Sequence, residues 1–306
     1  MQNPIPRRDF LKLSGAAAAV AALGPSAFGA PDTSARRRDL KKGLMIGAVG
    51  LGPSVLDNFK VIKAAGFDGL EANSHMNQAE VLKARDATGL VIPSVCDAVH
   101  WDKPLSHPDP AVRDAGLEGL KQSLRDAKAY AASSVLLVPA IVSKEVTYAE
   151  AYTRSQAEIR KAIPLAEELG VKIAFENVWN NFLLSPLEAA RYVDEFRSSA
   201  VGWHFDVGNI MRYGWPEQWI RILGKRIQKL HLKEFSRKKM DEEGNGKGFE
   251  VEYLAGDNDW PAVMKAVDDI GYTGWAIAEP AYSPPGVDHP TRLRQIVEKM
   301  EKILAS

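Results

Sequence analysis

Short apolar runs alternate with longer segments of helical periodicity along most of the chain. Four of these runs lie in the C-terminal half, at residues 171–175, 201–205, 227–230 and 275–278. Each run is short enough for a buried strand, and each follows a segment in which apolar positions recur every three or four residues. Strands that alternate with helices are typical of βα units, whose strands form a parallel sheet. The pattern therefore predicts an α/β protein.

The same pattern predicts four earlier strands and a full set of helices. The earlier strands fall at residues 44–49, 70–72, 90–96 and 135–139, and the helices at 53–64, 78–88, 109–131, 148–169, from 185, from 216, at 260–271 and at 290–304. Eight strand–helix pairs in order favour a closed (β/α)₈ TIM barrel over an open doubly wound sheet. No Gly-x-Gly-x-x-Gly motif follows the first strand, so a dinucleotide-binding fold lacks its signature.

A metal-binding type of side chain stands at the end of each of the four C-terminal strands. These side chains are Glu176, Asp206, His231 and Glu279. TIM barrels carry their active sites at the C-terminal ends of the strands, whereas a purely structural strand has no need of a carboxylate or imidazole there. Three carboxylates and one imidazole form a hard donor set that suits Mn²⁺, Mg²⁺, Co²⁺ or Zn²⁺. The sequence therefore predicts a divalent metal site.

Charge and cysteine content narrow the range of partners. The 306 residues include 39 Lys and Arg and 39 Asp and Glu, so the formal net charge is zero. A nucleic acid or an anionic membrane surface attracts a basic protein, and we expect neither as a partner. Cys96 is the single cysteine, which excludes an intramolecular disulfide and a metal cluster built on cysteine.

The first 30 residues have the features of an export signal. Arg7 and Arg8 precede an apolar run at 15–23, and small residues follow at 25–30. This arrangement resembles a twin-arginine signal peptide, and its apolar run is too short for stable membrane insertion. We predict a signal peptide at 1–30, a linker at 31–42 and a single catalytic domain at 43–306. The mature protein is expected in the periplasm.

Four motifs carry a resemblance to a known superfamily. They are Phe175-Glu176-Asn177, the segment 205–209, the segment 231–237, and the segment 271–274 followed by Glu279-Pro280. With them, the chain from about 44 to 304 resembles the sugar phosphate isomerase/epimerase superfamily of xylose isomerase-like TIM barrels. Ketose 3-epimerases, hydroxypyruvate isomerases and inosose dehydratases are the members that it resembles best. The resemblance implies that the four strand-end residues are metal ligands, and that Glu176 and Glu279 are also the catalytic proton-transfer pair.

Substrate contacts are expected around this site. Arg237 matches an arginine that contacts substrate oxygens in epimerases of the superfamily. Lys233 lies two residues after His231 and should point the same way along the strand, and His100 follows the third strand. Asn209 stands where many epimerases carry a substrate-binding histidine, and Phe182 replaces an acidic residue found in those enzymes.

The expected activity is a metal-dependent sugar isomerase or epimerase reaction. One glutamate removes a proton next to a carbonyl group, a divalent metal, first of all Mn²⁺, stabilises the enediolate, and the second glutamate returns a proton. An export signal favours a non-phosphorylated sugar or sugar derivative, because phosphorylated sugars are mostly cytosolic.

Three other functions stay open at the level of sequence. A lyase on the same scaffold would eliminate a group from a keto-sugar or 3-keto-glycoside, and the departures at Asn209 and Phe182 leave room for it. A nuclease related to endonuclease IV would require more metal-binding histidines than the six present, and a basic surface. A non-catalytic carbohydrate-binding barrel is the third alternative. The resemblance also suggests a homo-oligomer, which is an analogy between folds.

Overall fold

Eight parallel strands form one continuous sheet in the computed structural model, which describes residues 38–48 and 52–306. The strands are β1 Leu40–Leu44, β2 Ala72–Asn73, β3 Ser94–Cys96, β4 Ser134–Leu137, β5 Lys172–Glu176, β6 Val201–Asp206, β7 Ile227–Leu232 and β8 Gly274–Ala278. Their order in the sheet is β1-β8-β7-β6-β5-β4-β3-β2. The ring closes where Glu71 N–H donates to Leu44 O at 2.8 Å and Ile46 N–H donates to Glu71 O at 3.0 Å. The predicted TIM barrel is confirmed.

Helices follow the strands and surround the barrel. They are α1 Val55–Ala65, α2 Gln78–Thr88, α3 Pro110–Tyr130, α4 Tyr148–Leu169, α5 Pro186–Asp194, α6 Val207–Ile210, α7 Pro216–Leu223, α8 Arg237–Glu243, α9 Trp260–Asp269 and α10 His289–Ala305. The short helices α6 and α8 come directly after β6 and β7, on the side of the barrel where the strands end. Within the residues that the structure describes, no helix is long and apolar enough to cross a membrane.

Side chains along each strand point alternately to the helix layer and to the barrel interior. Successive side chains of a strand point to opposite faces. Phe175 packs outward against Tyr192 of α5, with ring centroids 5.3 Å apart. Its neighbour Glu176 therefore points into the barrel, and on β6 the outward Trp203 likewise leaves Asp206 on the inner face. The same two-residue period that buries the aromatic layer also directs the carboxylates inward.

The first strand differs from its prediction. It runs over Leu40–Leu44 rather than 44–49, and residues Ile46–Ala48 form a 3₁₀ turn. The strand thus begins inside the segment predicted as a linker. The charged residues Lys41 and Lys42 made this segment look like a linker in the sequence. In the structure Lys42 pairs with Glu301 of α10 at 2.5 Å.

Other strands differ from the predictions only at their ends. For example, β3 covers Ser94–Cys96, whereas the sequence predicted 90–96. The predicted signal peptide at 1–30 and residues 31–37 of the predicted linker lie outside the described residues. The division of the chain at those boundaries stays a prediction.

Candidate metal centre and substrate pocket

The four predicted ligands meet at the C-terminal end of the barrel. Glu176 and Asp206 are the last residues of β5 and β6, His231 lies in β7, and Glu279 directly follows β8. The register pairs Asp206 with His231, and Glu279 N–H donates to Leu232 O at 2.9 Å. One donor atom from each of the four side chains lies within 4.8 Å of the other three. Neighbouring strands in a closed ring therefore produce a cluster that the chain spreads over about a hundred residues.

His231 is at the centre of this cluster and is fully buried. Its Nδ1 atom lies 2.9 Å from Glu176 Oε1, 2.9 Å from Glu279 Oε2 and 3.9 Å from Asp206 Oδ2. Its Nε2 atom lies 3.0 Å from Oε1 of Glu71, on the other side of the ring. The nitrogen facing the three carboxylates is therefore Nδ1.

Two buried carboxylate oxygens accept no hydrogen bond. Asp206 Oδ2 has the Lys233 ammonium at 3.2 Å, and Glu279 Oε2 has His231 Nδ1 at 2.9 Å, yet neither contact has hydrogen-bond geometry. Buried polar oxygens are normally satisfied by a donor, and an oxygen of a buried carboxylate is also satisfied by a cation. The free lone pairs, the hard oxygens and the single imidazole together fit a divalent metal ion.

Asp206 is held in place by its neighbours on β5 and β6. Its Oδ1 atom accepts the backbone N–H of Asn209 at 2.6 Å, which caps helix α6. The Asn177 side chain accepts from Asp206 N–H at 3.0 Å and donates to Asp206 O at 2.7 Å. The same Asn177 oxygen accepts from the Trp203 indole at 3.0 Å. The sequence analysis quoted Asn177 within a motif without assigning it a role, and the structure shows that it ties the two strand ends together.

Lys233 directly follows β7 and lies next to the ligands, on the same side of the chain as His231, as the alternation predicted. Its Nζ atom lies 2.6 Å from Glu279 Oε1 and 3.2 Å from Asp206 Oδ2. It also donates to Asn209 Oδ1 at 3.4 Å. A buried ammonium group therefore pairs with two of the four predicted ligands.

The electrostatic environment separates the two glutamates. Burial raises the pKa of Glu176 above its ordinary value, and the nearby His231 offsets this only in part. Burial also acts to raise the pKa of Glu279, but Lys233 and His231 outweigh it and hold that pKa well below its usual range. In the metal-free site, the two carboxyl groups therefore have pKa values shifted in opposite directions, and such pairs are candidates for an acid and a base.

A pocket of about 510 Å³ opens above the cluster. Its lining includes Glu176, Glu279, Asn209, Lys233 and His100, together with Asn73, Cys96, Trp101, Trp179 and Phe249. Pockets of this size hold small-molecule substrates, and aromatic walls with a few converging polar groups are typical of them. The structure thus brings both predicted catalytic residues and three of the four predicted substrate contacts to one pocket.

His100 is a neutral donor in this pocket. Its Nδ1 atom accepts the backbone N–H of Val138 at 3.3 Å. Burial lowers the pKa of His100 to about 4, so the ring is uncharged near neutral pH. With Nδ1 accepting, the single ring proton lies on Nε2.

Arg237 is not brought to the pocket, which differs from the prediction. Its guanidinium group donates to Met211 O at 2.7 Å and to Gly214 O at 2.5 Å, and it lies over the Trp215 ring. Ser236 caps helix α8 by accepting the N–H of Lys239, and this helix start turns Arg237 toward the loop after α6. Phe182 also lies away from the pocket lining, packed between Tyr148 and Tyr192.

Comparison with known families identifies the class of protein. Residues 59–303 match the family model described as xylose isomerase-like TIM barrel. The chain therefore belongs to the xylose isomerase-like TIM barrel family. Residues 4–24 match the signal sequence of the twin-arginine translocation pathway, which indicates export across the membrane.

Proteins similar to this chain include epimerases and a dehydratase. A 2-epi-5-epi-valiolone 7-phosphate 2-epimerase from Actinoplanes sp. is 33% identical over 102 residues, which span only 33% of this chain and 36% of that enzyme. An inosose dehydratase from Clostridium perfringens is 26% identical over 74% of this chain and 82% of its own length. The crystal structure of 3-keto-D-glucoside 4-epimerase from E. coli has the same fold, with a TM-score of 0.73 and 16% identity, over 87% of this chain and 100% of that one.

Proposed function

We propose that the protein is a divalent-metal-dependent sugar isomerase or epimerase that transfers protons between Glu176, Glu279 and a sugar carbon next to a carbonyl group. The observation that carries this proposal is the cluster at the floor of the pocket. There one imidazole and three carboxylates converge, two of their buried oxygens accept no hydrogen bond, and two glutamates have opposite pKa shifts. A 2-epi-5-epi-valiolone 7-phosphate 2-epimerase and an inosose dehydratase are similar to this chain in sequence.

The metal would be held by Glu176, Asp206, His231 and Glu279. Such a donor set is compatible with Mn²⁺, which we expect first, and with Mg²⁺, Co²⁺ and Zn²⁺. When bound, the ion acts as a Lewis acid that draws electron density from the carbonyl oxygen and so acidifies the neighbouring C–H bond.

The two glutamates supply the proton chemistry. Both line the pocket, and they come from β5 and from the end of β8, on separate parts of the ring. A carboxylate on each side of the reacting carbon allows one to remove the proton and the other to return it on the opposite face, which inverts the centre. Return of the proton to the adjacent carbon would instead interconvert an aldose and a ketose.

Substrate oxygens would be bound by the polar side chains around the glutamates. His100 offers a neutral N–H donor, Lys233 an ammonium group and Asn209 an amide. A hydrogen bond from a charged donor strengthens as negative charge develops on a substrate oxygen, whereas a neutral donor orients a hydroxyl group without adding charge.

The pocket favours a non-phosphorylated sugar or sugar derivative. Among the lining residues that the structure describes, Lys233 is the only cation, and it is already paired with Glu279 and Asp206. Phosphate groups are normally bound by unpaired basic side chains or by several backbone N–H groups. The twin-arginine signal agrees with this substrate class, because it would deliver the enzyme to the periplasm, whereas phosphorylated sugars are mostly cytosolic. A homo-oligomeric state stays a prediction.

A lyase is the second candidate, favoured by the inosose dehydratase relative. The same base, acting next to a carbonyl group, causes elimination when the substrate carries a leaving group on the following carbon. Elimination and epimerisation thus share their first proton transfer and differ in the fate of the carbanion.

NMR analysis of products tests the proposal. The full chain would be incubated with free ketoses and with 3-keto-glycosides, once with Mn²⁺ and once with a chelator. We expect metal-dependent conversion, and the product identifies epimerisation, isomerisation or elimination. Demonstrated binding of one metal ion per chain with no conversion of any substrate in the panel would count against an enzyme of this kind and favour a carbohydrate-binding barrel.

A further inference from the structure

Glu71 lies beneath the four proposed metal ligands and does not line the pocket. It directly precedes β2 and is fully buried inside the barrel. Its Oε1 atom is 3.0 Å from His231 Nε2, and its Oε2 atom accepts the Ser94 hydroxyl at 2.5 Å. Each oxygen of this carboxylate therefore has a hydrogen-bond partner, His231 for Oε1 and Ser94 for Oε2.

Carboxylate oxygens lie against both nitrogens of His231. Glu71 is 3.0 Å from Nε2, and Glu176 and Glu279 are each 2.9 Å from Nδ1. A neutral imidazole has one N–H donor and one nitrogen with a free lone pair, and a metal ion takes the lone pair. Nδ1 is the nitrogen that faces the proposed ligands, so a metal bound there leaves the proton on Nε2, where Glu71 accepts it.

We propose that Glu71 is a positioning residue that fixes the Nε2–H tautomer and the orientation of His231, so that Nδ1 serves as the metal donor. Ser94 in turn fixes Glu71 by binding its second oxygen. A partner on the far nitrogen of a metal-binding histidine sets the tautomer and makes the ligand more basic. This inference rests on the metal centre of the proposed function.

Other neighbours of Glu71 do not account for its burial. The Nδ1 atom of His204 is 3.8 Å from Glu71 Oε2, and neither ring nitrogen of His204 makes a hydrogen bond. Lys229, on the inner face of β7, donates to Ser133 at 2.8 Å. Among the described basic groups, His231 is the one within hydrogen-bond distance of the Glu71 carboxylate.

Glu71, His204 and His231 also place donor atoms within 4.8 Å of one another. A second ion held by these three residues would require His231 to bind metals through both nitrogens and to lose its Nε2 proton. The tautomer proposal requires that proton, so the two arrangements exclude each other. Metal stoichiometry therefore distinguishes them.

Metal affinity of matched variants provides the test. Equilibrium dialysis with Mn²⁺ would compare the full chain with Glu71→Leu, which removes the acceptor. Loss of such a partner typically weakens metal binding by about 10- to 100-fold, and we expect a rise in Kd within that range. Glu71→Gln can still accept from His231 and donate to Ser94, so it should fold and show a smaller rise in Kd than Glu71→Leu.

Leu70→Ala is the matched control. Leu70 is the buried neighbour of Glu71 and packs in the hydrophobic core, and on an extended segment its side chain points away from that of Glu71. Leu70→Ala should lower stability by leaving a cavity in the core and should leave the metal Kd unchanged within about twofold, because Leu70 lies on the face of the segment opposite to Glu71. A change in Kd confined to Glu71 variants therefore separates positioning from a general loss of stability.

A second readout follows the proton itself. In the Zn²⁺-loaded chain, long-range ¹H–¹⁵N NMR of His231 should show a proton on Nε2 and none on Nδ1. Unchanged metal affinity in Glu71→Leu, a metal bound at Nε2, or two ions per chain would each overturn the proposal. Absence of metal binding by the unaltered chain is a different result, since it would remove the proposed metal centre and this inference with it.

Discussion

Replacement of Lys233 by methionine should destabilise the metal-free protein and yet tighten its binding of metal. The Lys233 ammonium group lies 2.6 Å from Glu279 and 3.2 Å from Asp206, with only 10% of its side chain exposed. It therefore compensates two carboxylates that we propose as metal ligands. Methionine has a similar length and no charge, so the variant removes the cation and largely keeps the packing.

The size of the effect follows from burial. Removal of one partner of a buried ion pair typically costs about 3–5 kcal/mol, because the remaining charge loses its compensation. A bound divalent cation would supply that compensation, so the cost in the metal-loaded protein is smaller. If the ion recovers about 2 kcal/mol, the thermodynamic cycle requires metal affinity to rise about 30-fold.

Urea unfolding and equilibrium dialysis measure the two sides of this cycle. The free energy of unfolding would be determined with a chelator and with saturating Mn²⁺, and the metal Kd would be measured directly. Lys229→Met is the matched control, since it removes a buried lysine from the same inner face of β7 without a contact to the four ligands. Weaker metal binding in Lys233→Met, or equal losses of stability with and without metal, would refute this account of Lys233.

Three further predictions concern residues around the site. Burial lowers the pKa of Lys229 from 10.5 to about 8. Between these two pH values the unfolded chain holds a proton that the folded chain has lost, so the free energy of unfolding should rise with pH, by up to about 3 kcal/mol. Urea titrations should show this rise in the unaltered chain and not in Lys229→Met. His100→Leu should reduce kcat/KM about tenfold by removing one hydrogen bond. Because the pKa of His100 is about 4, kinetics of the unaltered enzyme should show no inflection from this residue above pH 5. Asn177→Ala removes three buried hydrogen bonds and should lower the free energy of unfolding by about 2–4 kcal/mol, as measured by urea titration.

The barrel and its ligand cluster were predictable because both depend on local patterns. Strands β5, β6 and β8 are mostly apolar, as buried parallel strands are, whereas β7 also contains Gln228 and Lys229. A carboxylate or imidazole lies at or next to the end of each of the four strands. In a ring of parallel strands these ends are neighbours whatever their separation in sequence. Glu176, Asp206, His231 and Glu279 could thus be grouped without coordinates.

Contacts that depend on side-chain direction could not be predicted in this way. Glu71 reaches His231 across 160 positions of sequence, and no periodic pattern links the two. Arg237 matched a motif but bonds to the carbonyl oxygens of Met211 and Gly214, because a new helix starts at that point. The first strand was displaced because it contains Lys41 and Lys42, and the charge of Lys42 is compensated by Glu301 of α10, which the local pattern does not reveal.

Deuterium exchange tests the central claim, proton transfer between two glutamates, most directly. The substrate identified by product analysis would be incubated in D₂O with the Mn²⁺-loaded chain, with Glu176→Gln and with Glu279→Gln, after confirmation that each variant holds metal. We predict deuterium at the carbon next to the carbonyl group with the unaltered chain, and loss of exchange or of turnover in each variant. Turnover without any solvent deuterium in the product, or full exchange in both variants, would contradict the account.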